Sequence, residues 1–172
     1  MAYENTAVAV ERSQGEIRKL LQKYGAQRFQ FSEGEGMDAR QWVALEFVHA
    51  ANFERPHLIR ISVPLKLLDE EALKEKADRA YSKTYLQLKN ELFDKESRRI
   101  WRVIYFMLKS RMESVAEEVE TFEQAFLPHI VDPASGATLW MMLKGPIGDG
   151  RLAIGGKGLA LPAGKGYSEA EK

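Results

Sequence analysis

The chain contains no cysteine. Disulfides, thiolate metal sites and cysteine nucleophiles are excluded together, and the composition fits a reducing compartment. Long apolar runs are missing too. No stretch approaches the roughly 18 residues that a spanning helix needs, and no signal-peptide pattern opens the sequence, so no membrane partner is expected. Charge of one sign is equally absent: Lys+Arg and Asp+Glu both count 25, and the pI is near 6.9. A nonspecific basic coat for nucleic acid and an acidic DNA mimic are both disfavoured.

Signatures of catalysis are scarce as well. His49, His57 and His129 are the only histidines, and none pair at the i, i+4 spacing of a helical metal site. Gly155-Gly156-Lys157-Gly158 and Ala163-Gly164-Lys165-Gly166 lack the Ser or Thr that follows the lysine of a phosphate loop. Glu46 is followed two residues on by Val48. A restriction-type nuclease needs a lysine there to activate water. No catalytic residue, metal or cofactor is expected. An enzymatic role stays open because carboxylates are plentiful and none is singled out.

What remains is enough for one domain. The 172 residues, 45% hydrophobic, can bury a core without staples. Ser13-Gln14-Gly15-Glu16 has the capping-box pattern, and Ile17, Leu20, Leu21 and Tyr24 follow at helical spacing. These predict a helix over 14–24, closed by Gly25 in a left-handed cap. Alternation then predicts strands over 28–31, 41–49 and 57–63, with Pro64 ending the last. Loops too short for crossovers make this an antiparallel meander. Helices follow over 70–92 and, capped by Asp94, over 95–126, with Pro128 as the stop. Thr138–Leu143 reads as a helical turn or a strand. The fold class is α+β: an N-terminal helix, a three-stranded antiparallel meander and long C-terminal helices packed on the sheet. One domain is expected over 8–143, with a glycine-rich tail over 144–172. Ile100, Ile104, Leu108, Val115, Val119 and Phe122 are expected to pack on Val43, Leu45, Phe47, Ile59 and Ile61.

Two surface signals stand apart from the core. At 100° per residue, Lys95, Arg98, Arg99, Arg102 and Lys109 share a sector about 100° wide. Glu113, Glu117 and Glu120 continue the same sector. It reads as a solvated face, as a phosphate-binding half, or as a bipolar face that pairs with a partner protein or an antiparallel copy. A homo-oligomer would need an apolar strip beside the charges, and Tyr105, Phe106 and Met112 flank the sector. Arg111 instead projects toward the apolar side. The second signal is Trp42, which alternation points away from Val43, Leu45 and Phe47. With Arg40 and Arg60 it would stack and grip single-stranded nucleic acid, unless the long helices cover that face.

Two blocks carry a resemblance. The first is Val10-Glu11-Arg12-Ser13 with Glu16-Ile17 and Leu20-Leu21, then Lys23-Tyr24-Gly25-Ala26 and Phe29. The second runs from Arg99, Trp101 and Arg102 through Lys109, Arg111, Met112, Glu113 and Val115. It continues with Thr121-Phe122-Glu123, Phe126-Leu127, His129-Ile130, Pro133 and Gly136. Over residues 8–147 the chain resembles a family of small proteins of unknown function encoded in tailed phages and bacterial prophages. Members look like early-region genes in the company of replication and recombination genes. The resemblance implies a role in the cytoplasm of a bacterial host, linked to DNA or to countering host defence, and brings no catalytic residues. Two functions are therefore expected. One is a non-catalytic accessory protein binding single-stranded DNA in replication or recombination. The other is a protein–protein inhibitor or adaptor that binds a host or phage component, as a phage anti-defence protein would.

Overall fold

The computed structural model describes residues 3, 6–36, 41–49, 56–67, 70–79 and 84–148. Arg40, both lysine–glycine segments and the expected tail beyond residue 148 lie outside the described residues.

Helix α1 spans Val10–Lys23, one turn earlier than its expected start. Ser13 is not a cap: its N–H bonds the Ala9 carbonyl as part of the helix, and its hydroxyl is buried with no partner among the described residues. Val10 packs against the core and Glu11 adds an acidic residue to the first turn. Both favour the longer helix. Ser13, Ile17 and Leu21 form the fully buried stripe. Gly25 takes φ +77°, the left-handed cap expected of it.

The sheet is the expected meander, ordered β1 (Ala26–Glu35), β2 (Gln41–His49) and β3 (His57–Pro64), antiparallel throughout. β1 is longer than its alternation suggests. Ser32–Glu35 pair with Gln41–Ala44, although their composition is that of a turn. A bulge at Arg28, φ +48°, shifts the register between Gln27 and Phe29. The extra residue keeps Ala26, Phe29 and Phe31 on one side, where they join the core.

Helix α2 covers Glu70–Arg79, and α3 runs for 32 residues over Tyr85–Ala116, about 48 Å at the usual rise. Its cap is Thr84, not Asp94. The Thr84 hydroxyl accepts from the Gln87 N–H, and the Gln87 side chain accepts from the Thr84 N–H. α3 also stops ten residues short of its expected end. Glu118 adopts φ +58°. Its N–H bonds the Val115 carbonyl, and the Val119 N–H bonds the Ser114 carbonyl, the paired bonds of a Schellman motif. A second capping box, Thr121 with Gln124, then starts α4 (Phe122–Phe126). The break turns Val119 outward: it is 78% exposed and not a core residue.

Ile100, Ile104 and Leu108 do pack with Val43, Leu45, Phe47, Ile59 and Ile61 in one cluster, with Phe122 in it and Val115 against it. Trp101 and Met112, each 1% exposed, belong to the same cluster. The Trp101 ring meets Phe31 edge-on at 5.4 Å.

Beyond a 3-10 turn at Leu127–His129, the chain returns to the sheet. The Val131 N–H bonds the Leu58 carbonyl, and Asp132 closes a turn that ends at Gly136, φ +68°. Helix α5 (Leu139–Gly148) follows. It settles the ambiguity of that apolar run as helix, and it takes in the first residues of the expected tail.

Candidate functional site

Three of the five cations in the basic stripe of α3, Arg99, Arg102 and Lys109, are paired with carboxylates of the protein itself. Arg99 forms a two-pronged pair with Glu96, at 2.8 and 2.6 Å. Arg102 reaches Glu16 of α1, and its guanidinium lies 4.7 Å from the centroids of both the Tyr105 and Phe106 rings. Both carboxyls are held below their ordinary range. The arginine hydrogen bond is the main cause in each case, and burial opposes it. Lys109 lies 3.8 Å from Glu113. Lys95 and Arg98 border a shallow cavity of about 350 Å³ together with Glu91 and Asp94, so acid and base alternate there also.

The bipolar sector does not extend as the spacing suggests. Glu113 is exposed on α3, but Glu117 caps the helix and Glu120 lies beyond the Schellman turn. Of the apolar flank, Met112 is buried in the core and Phe106 is stacked under Tyr3, centroids 5.1 Å apart. Tyr105 remains half-buried. The continuous strip that an antiparallel copy would need is not assembled.

Trp42 and Arg60 share one face of the sheet, the face opposite Val43, Leu45, Ile59 and Ile61. α3 packs on the inner face. The aromatic and the helix cations are therefore on opposite sides of the sheet and form no single groove. Trp42 is half-buried because its ring lies over Gly34, its cross-strand partner: a Cβ added there would stand 2.7 Å from the indole. Covering a strand glycine with an aromatic is a stabilising device of sheets. Arg60 bonds Glu46 at 2.5 Å and the Gly136 carbonyl at 2.8 Å, fastening the 132–137 turn to the sheet.

Two features were not singled out by sequence reasoning. The first is a cavity of about 560 Å³ at the corner between α3 and α4. Among the described residues its lining includes His49, Met112, Val115 and Phe122 together with Glu118, Glu120 and Glu123. His49 Nε2 lies 3.1 Å from the Tyr24 carbonyl. Burial lowers the pKa of its ring, against a smaller upward pull from the Tyr24 bond. His57 faces His49 across β2 and β3, yet no group of three or more potential metal ligands occurs among the described residues.

The second is α5. Trp140, Met141, Met142, Leu143 and Ile147 are all exposed, Met141 by 65%. The start of the helix is anchored: the Leu139 N–H bonds the Ile130 carbonyl, and the Thr138 hydroxyl accepts from the Met141 N–H. The signal was present in Leu139-Trp140-Met141-Met142-Leu143. A short apolar run reads equally well as a buried strand, and only the fold shows its surface uncovered. No helix among the described residues is long and apolar enough to cross a membrane.

Comparison with protein-family models, with curated proteins and with solved structures found no match to this chain.

Proposed function

We propose that this protein is an adaptor or inhibitor that docks on another protein through α5. The observation that carries this reading is the set of five large apolar side chains exposed on that one short helix. Removing such surface from water is worth about 25 cal/mol per Å², and contiguous exposed apolar patches mark interaction sites. Tryptophan and methionine are enriched at protein interfaces, and methionine adapts to irregular partners. A short apolar helix held at its base suits an apolar groove on the partner. The resemblance to phage-encoded proteins supports a host or phage protein as that partner, including a component of host defence, met in the bacterial cytoplasm.

Single-stranded nucleic acid is the second reading. The half-buried Trp42, on the sheet face opposite α3, supports it. The carboxylate partners of Arg60, Arg99 and Arg102 count against it, because a phosphate would have to displace each of them.

The test compares the wild type with a Trp140→Ser, Met141→Ser, Met142→Ser variant. Each is used to capture bacterial proteins after nuclease treatment. Captured species are identified, purified and titrated against both chains. The reading expects a protein that binds the wild type and loses at least about tenfold in affinity for the variant. Binding that nuclease abolishes, or that survives in the variant, would overturn it.

A further inference from the structure

We propose that β1 pairs edge to edge with β1 of a second copy of this chain, so that two meanders become one continuous antiparallel sheet. The interface is the free edge of the sheet. It uses neither α5 nor the charged face of α3.

The ladder shows which groups are free. The Leu65 N–H bonds the Gln41 carbonyl, so the backbone of Gln41 faces β3, and so does that of every second residue after it. Gln41, Val43, Leu45 and Phe47 therefore turn no N–H toward β1. Opposite them stand Glu35, Glu33, Phe31 and Phe29. The N–H and C=O groups of these four residues point away from β2, out of the sheet. β1 is the first strand in the order β1-β2-β3, and among the described residues nothing bonds this edge. The other edge differs: the Val131 N–H bonds the Leu58 carbonyl, and Pro64 ends β3. Residues 29–35 include no proline and no lysine, the residues that commonly guard an exposed edge, and the bulge lies before Phe29. A row of unpaired N–H and C=O groups is a template for an extended strand.

Charge identifies the strand. Phe29, Phe31, Glu33 and Glu35 share the inner face of the sheet with their cross-strand partners. Beside them Arg18 of α1 is exposed, its guanidinium 5.4 Å from the Phe29 ring centroid and 5.9 Å from that of Phe31. Arg18, Glu33 and Glu35 have no ion-pair partner among the described residues. An antiparallel copy centred on Ser32 pairs Phe29 with Glu35 and Phe31 with Glu33 of the second strand. All four outward-facing residues then bond, with about eight backbone hydrogen bonds across the joint. Each glutamate arrives at about 5 Å from a phenylalanine that Arg18 covers, and the two-fold axis repeats the match.

Sedimentation equilibrium of the full chain and single-cysteine cross-linking test this pairing. The wild type should reach dimer mass as concentration rises through the micromolar range. The chain has no cysteine, so one introduced thiol reports one contact. Ser32→Cys lies on the two-fold axis, where Cα atoms about 4.5 Å apart suit a disulfide, and should link to itself under mild oxidation. Gln30→Cys stands about 13 Å from its own counterpart in that register and should not. Glu33→Lys with Glu35→Lys should weaken the dimer about tenfold, and adding Arg18→Glu should restore it. The Trp140→Ser, Met141→Ser, Met142→Ser variant should remain a dimer, which separates this edge from docking on α5. A wild type that stays monomeric at millimolar concentration overturns the proposal. So does a dimer that dissolves in the α5 variant, that Ser32→Cys fails to link, that the lysine substitutions leave unchanged, or that Arg18→Glu fails to restore. Ser32→Cys linked in cells only to another protein would overturn it too, and would give the edge to a foreign strand.

Discussion

His49 of β2 and Phe122 of α4 lie ring on ring, with centroids 3.9 Å apart and planes 8° apart. The stack joins the end of the sheet to the helix that follows the Schellman turn. It also removes the imidazole from water, which lowers its pKa from the ordinary value of 6.5. His129 is lowered from the same value, by burial first and by the charge of Arg111 second.

Stability should therefore fall in mild acid. The unfolded chain takes up protons near the ordinary histidine pKa, while the folded chain resists them until lower pH. The contribution of these two rings is full above that value and declines as pH drops through it toward the folded pKa. Urea denaturation should give a lower midpoint at about pH 5.5 than at about pH 7.5. A His49→Phe, His129→Gln variant should flatten that difference, whatever its absolute stability.

Arg102→Ala should cost about 1–2 kcal/mol, since it breaks a partly buried ion pair and the packing on Tyr105 and Phe106. The Glu16 carboxyl should rise toward its ordinary range at the same time, because Arg102 is the main cause of its lowering. An NMR titration of the Glu16 side chain checks this. An unmoved Glu16 would show the pair to be absent in solution.

The break after α3 separates three apolar positions that share one helical face in the sequence. Leu108→Ala should destabilise by about 2–5 kcal/mol and Phe122→Ala by about 3–5 kcal/mol. Val119→Ala should stay within about 0.5 kcal/mol. Denaturation midpoints of the three variants decide the matter. A large loss at Val119 would restore a continuous helix to Phe126.

Glu118 adopts a left-handed backbone conformation that costs a side-chain-bearing residue about 1–2 kcal/mol. Glycine avoids that cost and loses about 0.5–1 kcal/mol of its extra freedom on folding. Glu118→Gly should therefore raise stability by up to about 1 kcal/mol, seen as a higher thermal midpoint. A loss of stability would mean that the side chain itself contributes at this turn.

These positions also show what the sequence could reveal. β2 and β3 were legible, because Val43, Leu45 and Phe47 in one and Ile59, Ile61 and Val63 in the other recur at every second position and Pro64 closes the third strand. Thr84 with Gln87 and Thr121 with Gln124 carry the capping-box pattern, but the expected cap is Asp94 and the expected helix runs through Thr121, because their flanks show no abrupt change of composition. Ser13 with Glu16 has the same pattern and caps nothing, because a preceding turn of helix pays for itself in burial of Val10. The end of α3 was hidden: the left-handed site holds Glu118 where glycine is usual. Of the surfaces, the α3 arginines were legible as cations. Glu16, the partner of Arg102, lies 86 residues away, and no spacing rule reaches it. The uncovered state of α5 is likewise a property of the fold and not of its run of apolar letters.

Docking of a protein on α5 is tested most directly by site-specific photo-crosslinking. A photoreactive residue is placed at Met141 on α5, or at Val48 on the outer face of the sheet as the comparison. Each chain is irradiated in bacterial cells, then treated with nuclease. Docking through α5 predicts a discrete protein adduct from position 141, larger than the chain by the mass of a distinct partner, and none from position 48. Adducts confined to position 48 and carrying nucleic acid, or an adduct from position 141 only to a second copy of this chain, would contradict it.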